Sequence, residues 1–214
     1  MTMLDLLSQR LQEGDDAAVR ELTARAIAGA VAPAAILEGG LLAGMAVIGR
    51  RFRDREIFLP DVLLAARAMQ AGMALLEPLL VGNAARSAGT VVIGTVSGDV
   101  HDIGKNLVGI MLQGAGFRVV DLGADVAPER FAQTAAEERA DVVGLSALLT
   151  TTMTGMQDTI EQLREDAATA TVRTIVGGAP LTAEFAREIG ADAYAPDAQH
   201  AVEGVRALVQ ARRS

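Results

Sequence analysis

Up to about residue 84 the apolar positions recur at helical spacing; from Thr90 onward short β-branched runs alternate with amphipathic stretches. The first half predicts a short helix over 2–12 and a second starting at Asp15 and Asp16, both good N-cap residues, and running through Ala30. Pro33 stands where a third helix begins, roughly 33–54. That helix contains EGGLLAGMAVIGRRF, and its glycines are weak helix formers, each about 1 kcal/mol poorer than Ala. Gly40 and Gly44 are four apart, so they share a face and permit a close helix crossing. Pro60 opens LPDVLLAARAMQAGMALLEPLL, in which Val62, Met69, Met73, Leu76 and Leu80 fall on one stripe. Four helices of this kind make a small bundle over 1–84.

The second half, 90–214, has the texture of an α/β domain. The runs TVVIGTV (90–96), FRVVDLG (117–123), ADVVGLS (140–146), VRTIVGG (172–178) and the weaker ADAYA (191–195) read as strands. Helical segments are expected near 102–115, 127–139, 152–168, 182–189 and 198–211. Five strands alternating with five helices predict a doubly wound parallel sheet, Rossmann-type and flavodoxin-like, covered on both faces. The stretch VGNAARSAG (81–89) carries the connection, with 85–89 as the linker proper.

Composition narrows the chemistry. Hydrophobic residues make up 50% of 214, enough for a substantial core. Charges or glycines interrupt every long apolar run, and MTMLDLLSQR lacks the pattern of a signal peptide, so a cytoplasmic protein without a membrane role is expected. The net charge is −8, the only basic cluster is RRFRDR at 50–55, and aromatics are limited to five Phe and one Tyr. A nucleic-acid surface is therefore not expected. There is no cysteine and only two histidines, His101 and His200, which rules out disulfides, thiolate metal sites and iron–sulfur clusters. With so little reactive side-chain chemistry, a demanding reaction would need a bound cofactor.

Open α/β sheets bind ligands beyond the carboxyl ends of their strands, where the strand order reverses. With a flavodoxin-like order that point lies between strands 1 and 3, beside strand 4, and the loops there are SGDVHDIGKN, SALLTTTM and GGAP. The first is not a Walker A loop. Five residues rather than four separate Gly98 from Gly104, Asn106 follows Lys105, and two carboxylates would repel a triphosphate. Two readings stay open on spacing alone. Asp99 or Asp102 caps the next helix and His101 is a surface residue, or His101 is a metal ligand oriented by Asp99 with a hydroxyl from 150–152 extending the relay. One protein ligand is too few for a bare zinc, magnesium or calcium ion, but is enough if a macrocycle supplies the other donors. His200 reads as a surface helix residue.

The stretch GDVHDIGKNLVGIMLQGAGFRVVDLGADV resembles the cobalamin-binding Asp-x-His-x-x-Gly motif in its extended form. SALLTTTM and VGGAP resemble the second and third signatures of that family, and GADAYAPDA its tail. EGGLLAGMAVIGRRFRDREIFLPDVLLAARAMQAGM resembles the helical cap that precedes this domain in cobalamin-dependent methionine synthase. Together the likeness spans about residues 3–210, and it is to the free-standing corrinoid proteins of methylamine and methanol methyltransferase systems. It implies a cobalamin-binding domain over 90–214 holding cobalamin or a related corrinoid base-off, with His101 as the lower axial ligand of cobalt. It implies a relay of Asp99, His101 and a hydroxyl, by position Thr152, with Thr150 or Thr151 as alternatives; the synthase has Ser there. Asp102, Ile103, Gly104, Ser146, Leu148, Thr150, Gly177, Gly178, Tyr194, Ala195 and Ala198 would lie along the cofactor and its nucleotide tail. Phe58, Val62 and Leu63 would belong to the cap over the upper corrin face.

The activity so implied is methyl carriage. Reduced cobalamin accepts a methyl group from a substrate-specific methyltransferase, and the loaded methylcobalamin passes it to a second methyltransferase that uses tetrahydrofolate or coenzyme M. A reductive activase would rescue oxidised cofactor, and the linker would act as the hinge of the cap. Two other readings share the motif. One is a cobalamin-responsive sensor or regulatory protein, which needs an output module; the other is a subunit of an adenosylcobalamin mutase, which usually lacks a cap of this sequence.

Overall fold

The computed structural model describes residues 2–80 and 88–213. By internal contacts the chain forms two compact units, Met1–Arg86 with Gly114–Gly116, and Ser87–Gln113 with Phe117–Ser214. Of the expected linker, and the hinge placed there, residues 81–87 lie outside the described residues.

The N-terminal unit is helical. Helix α1 (Met3–Gln12) opens on a capping box, in which Thr2 Oγ1 accepts from the Asp5 amide and Asp5 Oδ2 accepts from the Thr2 amide. Asp15 caps α2 (Asp16–Ala28) by accepting from the Ala18 amide at 2.9 Å, which makes Asp16 the first helical residue. The third helix differs from the expected regular one. It runs as α3 (Pro33–Ile36), a π-helical segment (Leu37–Leu42) and α4 (Ala43–Arg53). The π turn falls on the Gly39–Gly40 pair, where backbone freedom accommodates an extra residue per turn. The same face receives α1: a Cβ at Gly40 would lie 2.5 Å from Leu7 Cδ2, and one at Gly44 3.0 Å from Leu11 Cδ2. Helix α5 (Leu59–Leu80) buries Val62, Ala65, Ala68, Met69 and Leu76. By length and composition, Pro33–Arg53 and Leu59–Leu76 are apolar enough to cross a membrane. Here their apolar stripes, Ile36, Leu41, Met45 and Ile48 on one and Val62 to Leu76 on the other, form the bundle core.

The second unit is a five-stranded parallel sheet in the order β2-β1-β3-β4-β5. Its strands are β1 (Thr90–Thr95), β2 (Arg118–Asp121), β3 (Val142–Ser146), β4 (Arg173–Gly177) and β5 (Ala193–Ala195). Helices α6 (Ile103–Gly114), α7 (Pro128–Glu137), α8 (Thr154–Glu165), α9 (Ala183–Glu188) and α10 (Ala198–Arg213) alternate with them. Strand residues point alternately to the two faces. Val92, Val143, Leu145 and Val176 join Phe131, Met156, Ile160 and Leu163 in a core under α7, α8 and α9. On the opposite face Ile93 lies against Gly109 of α6 and Ile175 against Gly204 of α10. Burial on both faces explains why the inner strands β1, β3 and β4 are largely apolar runs. The observed order is the flavodoxin-like one, so the reversal between β1 and β3 brings the His101 loop beside the loops after β3 and β4.

Candidate functional site

Between β1 and α6 the chain makes a loop in which one buried carboxylate holds one exposed imidazole. Gly98 turns the chain with φ +80, a left-handed conformation that favours glycine. The turn sends Asp99 inward, where it is 0% exposed, and leaves the His101 side chain 46% exposed. Asp99 Oδ1 accepts from the His101 amide at 3.0 Å and lies 2.8 Å from His101 Nδ1. Asp99 Oδ2 accepts from the Leu148 amide at 2.7 Å, the Leu149 amide at 3.2 Å and the Thr152 hydroxyl at 2.7 Å.

This shell fixes the charge state of Asp99. Burial alone would push its carboxyl up, but the amides of Leu148 and His101, the Thr152 hydroxyl and the His101 ring outweigh that and hold it far below the usual carboxylate range. An ionised carboxylate can only accept, so His101 Nδ1 is the donor, which leaves Nε2 as the ring nitrogen turned away from Asp99. Thr152 Oγ1 also stands 2.9 Å from the Leu149 carbonyl, and of the three successive threonines it is the buried one; Thr150 and Thr151 are exposed. The helix-capping alternative fails for Asp99, whose oxygens are taken up by the histidine and the β3–α8 loop. Asp102 Oδ2 accepts from Asn106 Nδ2 at 3.0 Å.

The loops that carry His101 and its Asp99 shell also expose large apolar side chains: Val100 is 72% exposed, Ile103 76%, and Leu148 and Leu149 are close to half exposed. Such a group of large exposed hydrophobic side chains beside one polar ligand atom suits a flat, largely apolar ligand. Gly104 faces open space, since a Cβ there would meet no atom within 4 Å. Among the described residues no three His, Cys, Asp or Glu side chains gather to hold a bare ion.

Other expected site residues have different surroundings. Ser146 ends β3 and is half-buried. Gly177 ends β4, where a Cβ would lie 3.0 Å from the Ala195 carbonyl oxygen, and Gly178 has φ +146 with the Cβ position only 1.8 Å from the Ala147 oxygen. Glycine at 178 is thus required by two loops of the protein itself. Tyr194 is half-buried and its hydroxyl donates to the Leu181 carbonyl at 2.9 Å, while Ala195 and Ala198 are buried. In the N-terminal unit Phe58 and Leu63 are exposed, and Val62 points into the bundle core.

Two family profiles, both described as B12 binding domain, match residues 89–206 and 3–77. A dimethylamine corrinoid protein of Methanosarcina acetivorans is 46% identical over 206 residues, covering 93% of this chain and 95% of its own. The chain belongs to the corrinoid proteins. A corrinoid protein of Desulfitobacterium hafniense is 42% identical over 206 residues, 95% of each chain. Among solved structures, the methanol:cobalamin methyltransferase complex of Methanosarcina barkeri aligns with TM-score 0.89 at 30% identity, covering 97% of this chain and 80% of that one. A cobalamin-binding protein of Desulfitobacterium hafniense aligns with TM-score 0.76 at 31% identity, covering 96% and 98%.

For a corrinoid protein the residues of this loop fit their ligand. The single imidazole with Nε2 free, the apolar surround and the open space at Gly104 match a cofactor that brings its own equatorial donors. Parts of the supporting structure were not legible in the sequence. Thr95, fully buried, donates its hydroxyl to the His101 carbonyl at 3.0 Å. Lys105 is buried, and its Nζ lies 2.6 and 2.5 Å from the two Asp121 oxygens. Only the position of Lys105 one residue after Gly104 hinted at a role; Asp121 and Thr95 carry no local signal.

Proposed function

We propose that this corrinoid protein carries methyl groups between two methyltransferases, holding its cofactor base-off with His101 Nε2 as the lower axial ligand of cobalt. When bound, the corrinoid supplies the cobalt that takes the methyl group and gives it up. His101 Nε2 would hold that cobalt from below, and Asp99 keeps the ring in the tautomer that leaves Nε2 free. Thr152 and the amides of His101, Leu148 and Leu149 keep Asp99 anionic, so turning the ring away would leave a buried carboxylate short of a donor. Val100, Ile103, Leu148 and Leu149 would offer exposed apolar surface to the bound corrinoid, and Gly104 would leave room for the nucleotide tail. The observation that carries the reading is the exposed His101 backed by a fully buried Asp99, in a chain nearly half identical to dimethylamine corrinoid proteins.

A substrate-specific methyltransferase would choose the donor, and a second one, acting on tetrahydrofolate or coenzyme M, would take the product. A reductive activase would restore oxidised cofactor. The relatives' names, which pair corrinoid proteins with dimethylamine and a cobalamin methyltransferase with methanol, support partners of this class. The test is chemical. After reconstitution with hydroxocobalamin and reduction, the protein is expected to take one methyl group from iodomethane and release it on photolysis. Binding of cobalamin without methyl uptake would contradict the carrier role.

A further inference from the structure

The imidazole is fixed through Asp99, but the main chain that carries both residues is gripped from a different quarter. The segment from the end of β2 towards α7 (DLGADV, 121–126) lies against the His101 loop through Asp125, more than 20 residues away in sequence. Asp125 makes two main-chain contacts with it, besides a longer one in which Oδ1 accepts from the Ser97 hydroxyl at 3.5 Å. Its carboxylate Oδ1 accepts from the Gly98 amide at 2.7 Å, and its own amide donates to the Asp99 carbonyl at 2.9 Å. The residues on either side of one peptide bond, Gly98 and Asp99, are thus held by one residue. Asp125 does so with φ +54, a left-handed conformation uncommon for a residue with a side chain.

The rest of the loop is anchored in the same direction. Asp121 Oδ1 accepts from the Gly123 amide at 2.8 Å and from the buried Lys105 ammonium. The Gly123 carbonyl accepts from the Thr95 amide at 3.0 Å, and the Thr95 hydroxyl donates to the His101 carbonyl at 3.0 Å. His101 therefore has its main chain fixed on both sides, before it by Asp125 and at its own carbonyl by Thr95. Solvent-exposed Asp125 has no burial of its own to gain from these contacts, and its strained backbone conformation is disfavoured in isolation.

We propose that Asp125 is a positioning residue for the corrinoid's lower ligand: it sets the pose of the Asp99–His101 segment and with it the fraction of cofactor held in the His-on state. The inference rests on the axial-ligand reading above. Asp125→Gly tests it cleanly, because glycine relaxes the left-handed backbone while removing the carboxylate. Thr95→Val, which deletes the other hydrogen bond to the His101 main chain, is the second variant. Each full-length protein, labelled with heavy nitrogen, is reconstituted with hydroxocobalamin and reduced, and the cob(II) form is examined by EPR for superhyperfine splitting from the labelled nitrogen, which separates His101 from the cofactor's own base. Cobalamin affinity and the unfolding midpoint of the apoprotein are measured alongside.

Both variants are expected to lose part of the nitrogen-split signal and to bind cobalamin about tenfold more weakly, the scale typical when a partner that orients a metal-bound histidine is removed. Asp125→Asn, which keeps an acceptor oxygen and tolerates the left-handed backbone, restores both. A role confined to stability would lower the unfolding midpoint and leave the bound-state spectrum unaltered. Undiminished splitting in Asp125→Gly, with splitting present in the unaltered protein, overturns the inference whatever Thr95→Val shows. Absence of splitting in the unaltered protein overturns the axial-ligand reading and this inference with it.

Discussion

Asp99 is where the physical constraints on this protein are tightest. A carboxylate with no exposure is costly unless its oxygens are fully engaged, and here they meet the His101 amide and ring, two further amides and a hydroxyl. Replacing it with Asn keeps the shape but turns an NH2 group toward donors, which should lower stability at neutral pH by about 2 kcal/mol. The pH dependence follows from the sign of the shift. The folded carboxyl is held below its unfolded value of about 3.9, so its contribution is fully present above that pH and fades as pH falls through the folded value. Urea unfolding of wild type and Asp99→Asn should show the full gap at neutral pH and a narrowing one below about pH 4. A gap unchanged at acid pH would show that shape, not charge, is what Asp99 supplies. The choice among three threonines also belongs to this scale. The run TTT announces a hydroxyl near the histidine, but only the turn after β3 decides that Thr152 is the one facing inward.

The loops that close the sheet's carboxyl edge separate two kinds of glycine, which the sequence cannot tell apart. Gly178 is demanded by the fold, with a left-handed φ and no room for a Cβ. Gly178→Ala should destabilise the apoprotein by at least about 2 kcal/mol, read as a fall in its unfolding midpoint. Gly104 stands early in α6 with open space beside it. Gly104→Ala should leave the apoprotein as stable or up to about 1 kcal/mol more stable, because Ala is the better helix former. The same variant should bind cobalamin more weakly, by equilibrium titration. Equal affinity would mean that the space at Gly104 is not used by the ligand. The π-helical segment at Leu37–Leu42 was illegible for a related reason. LEGGLL reads as a weak stretch of regular helix, because apolar spacing does not register one extra residue in a turn that glycine tolerates.

For the whole molecule, the fold was legible because the two units speak in different periods. Helical stripes mark the first, and apolar runs buried on both faces mark the second. The flavodoxin-like strand order placed the His101, SALLTTTM and GGAP loops at one edge, and the structure has that order. What stayed hidden are contacts between segments distant in sequence: Asp125 on Gly98, Thr95 on His101, Lys105 on Asp121. No local pattern encodes them, since each depends on which strand lies beside which. On the proposed reading the protein would supply one imidazole, a buried charge to orient it and apolar side chains nearby, and the corrinoid the reactive centre. The most direct measurement is EPR of the cob(II) form of the full-length protein, labelled with heavy nitrogen and reconstituted with hydroxocobalamin, read for splitting from the labelled nitrogen and compared with His101→Ala. Nitrogen superhyperfine splitting in the unaltered protein and its loss in His101→Ala is the predicted result. Splitting that persists in the variant, or is absent from the unaltered protein, would contradict His101 as the axial ligand.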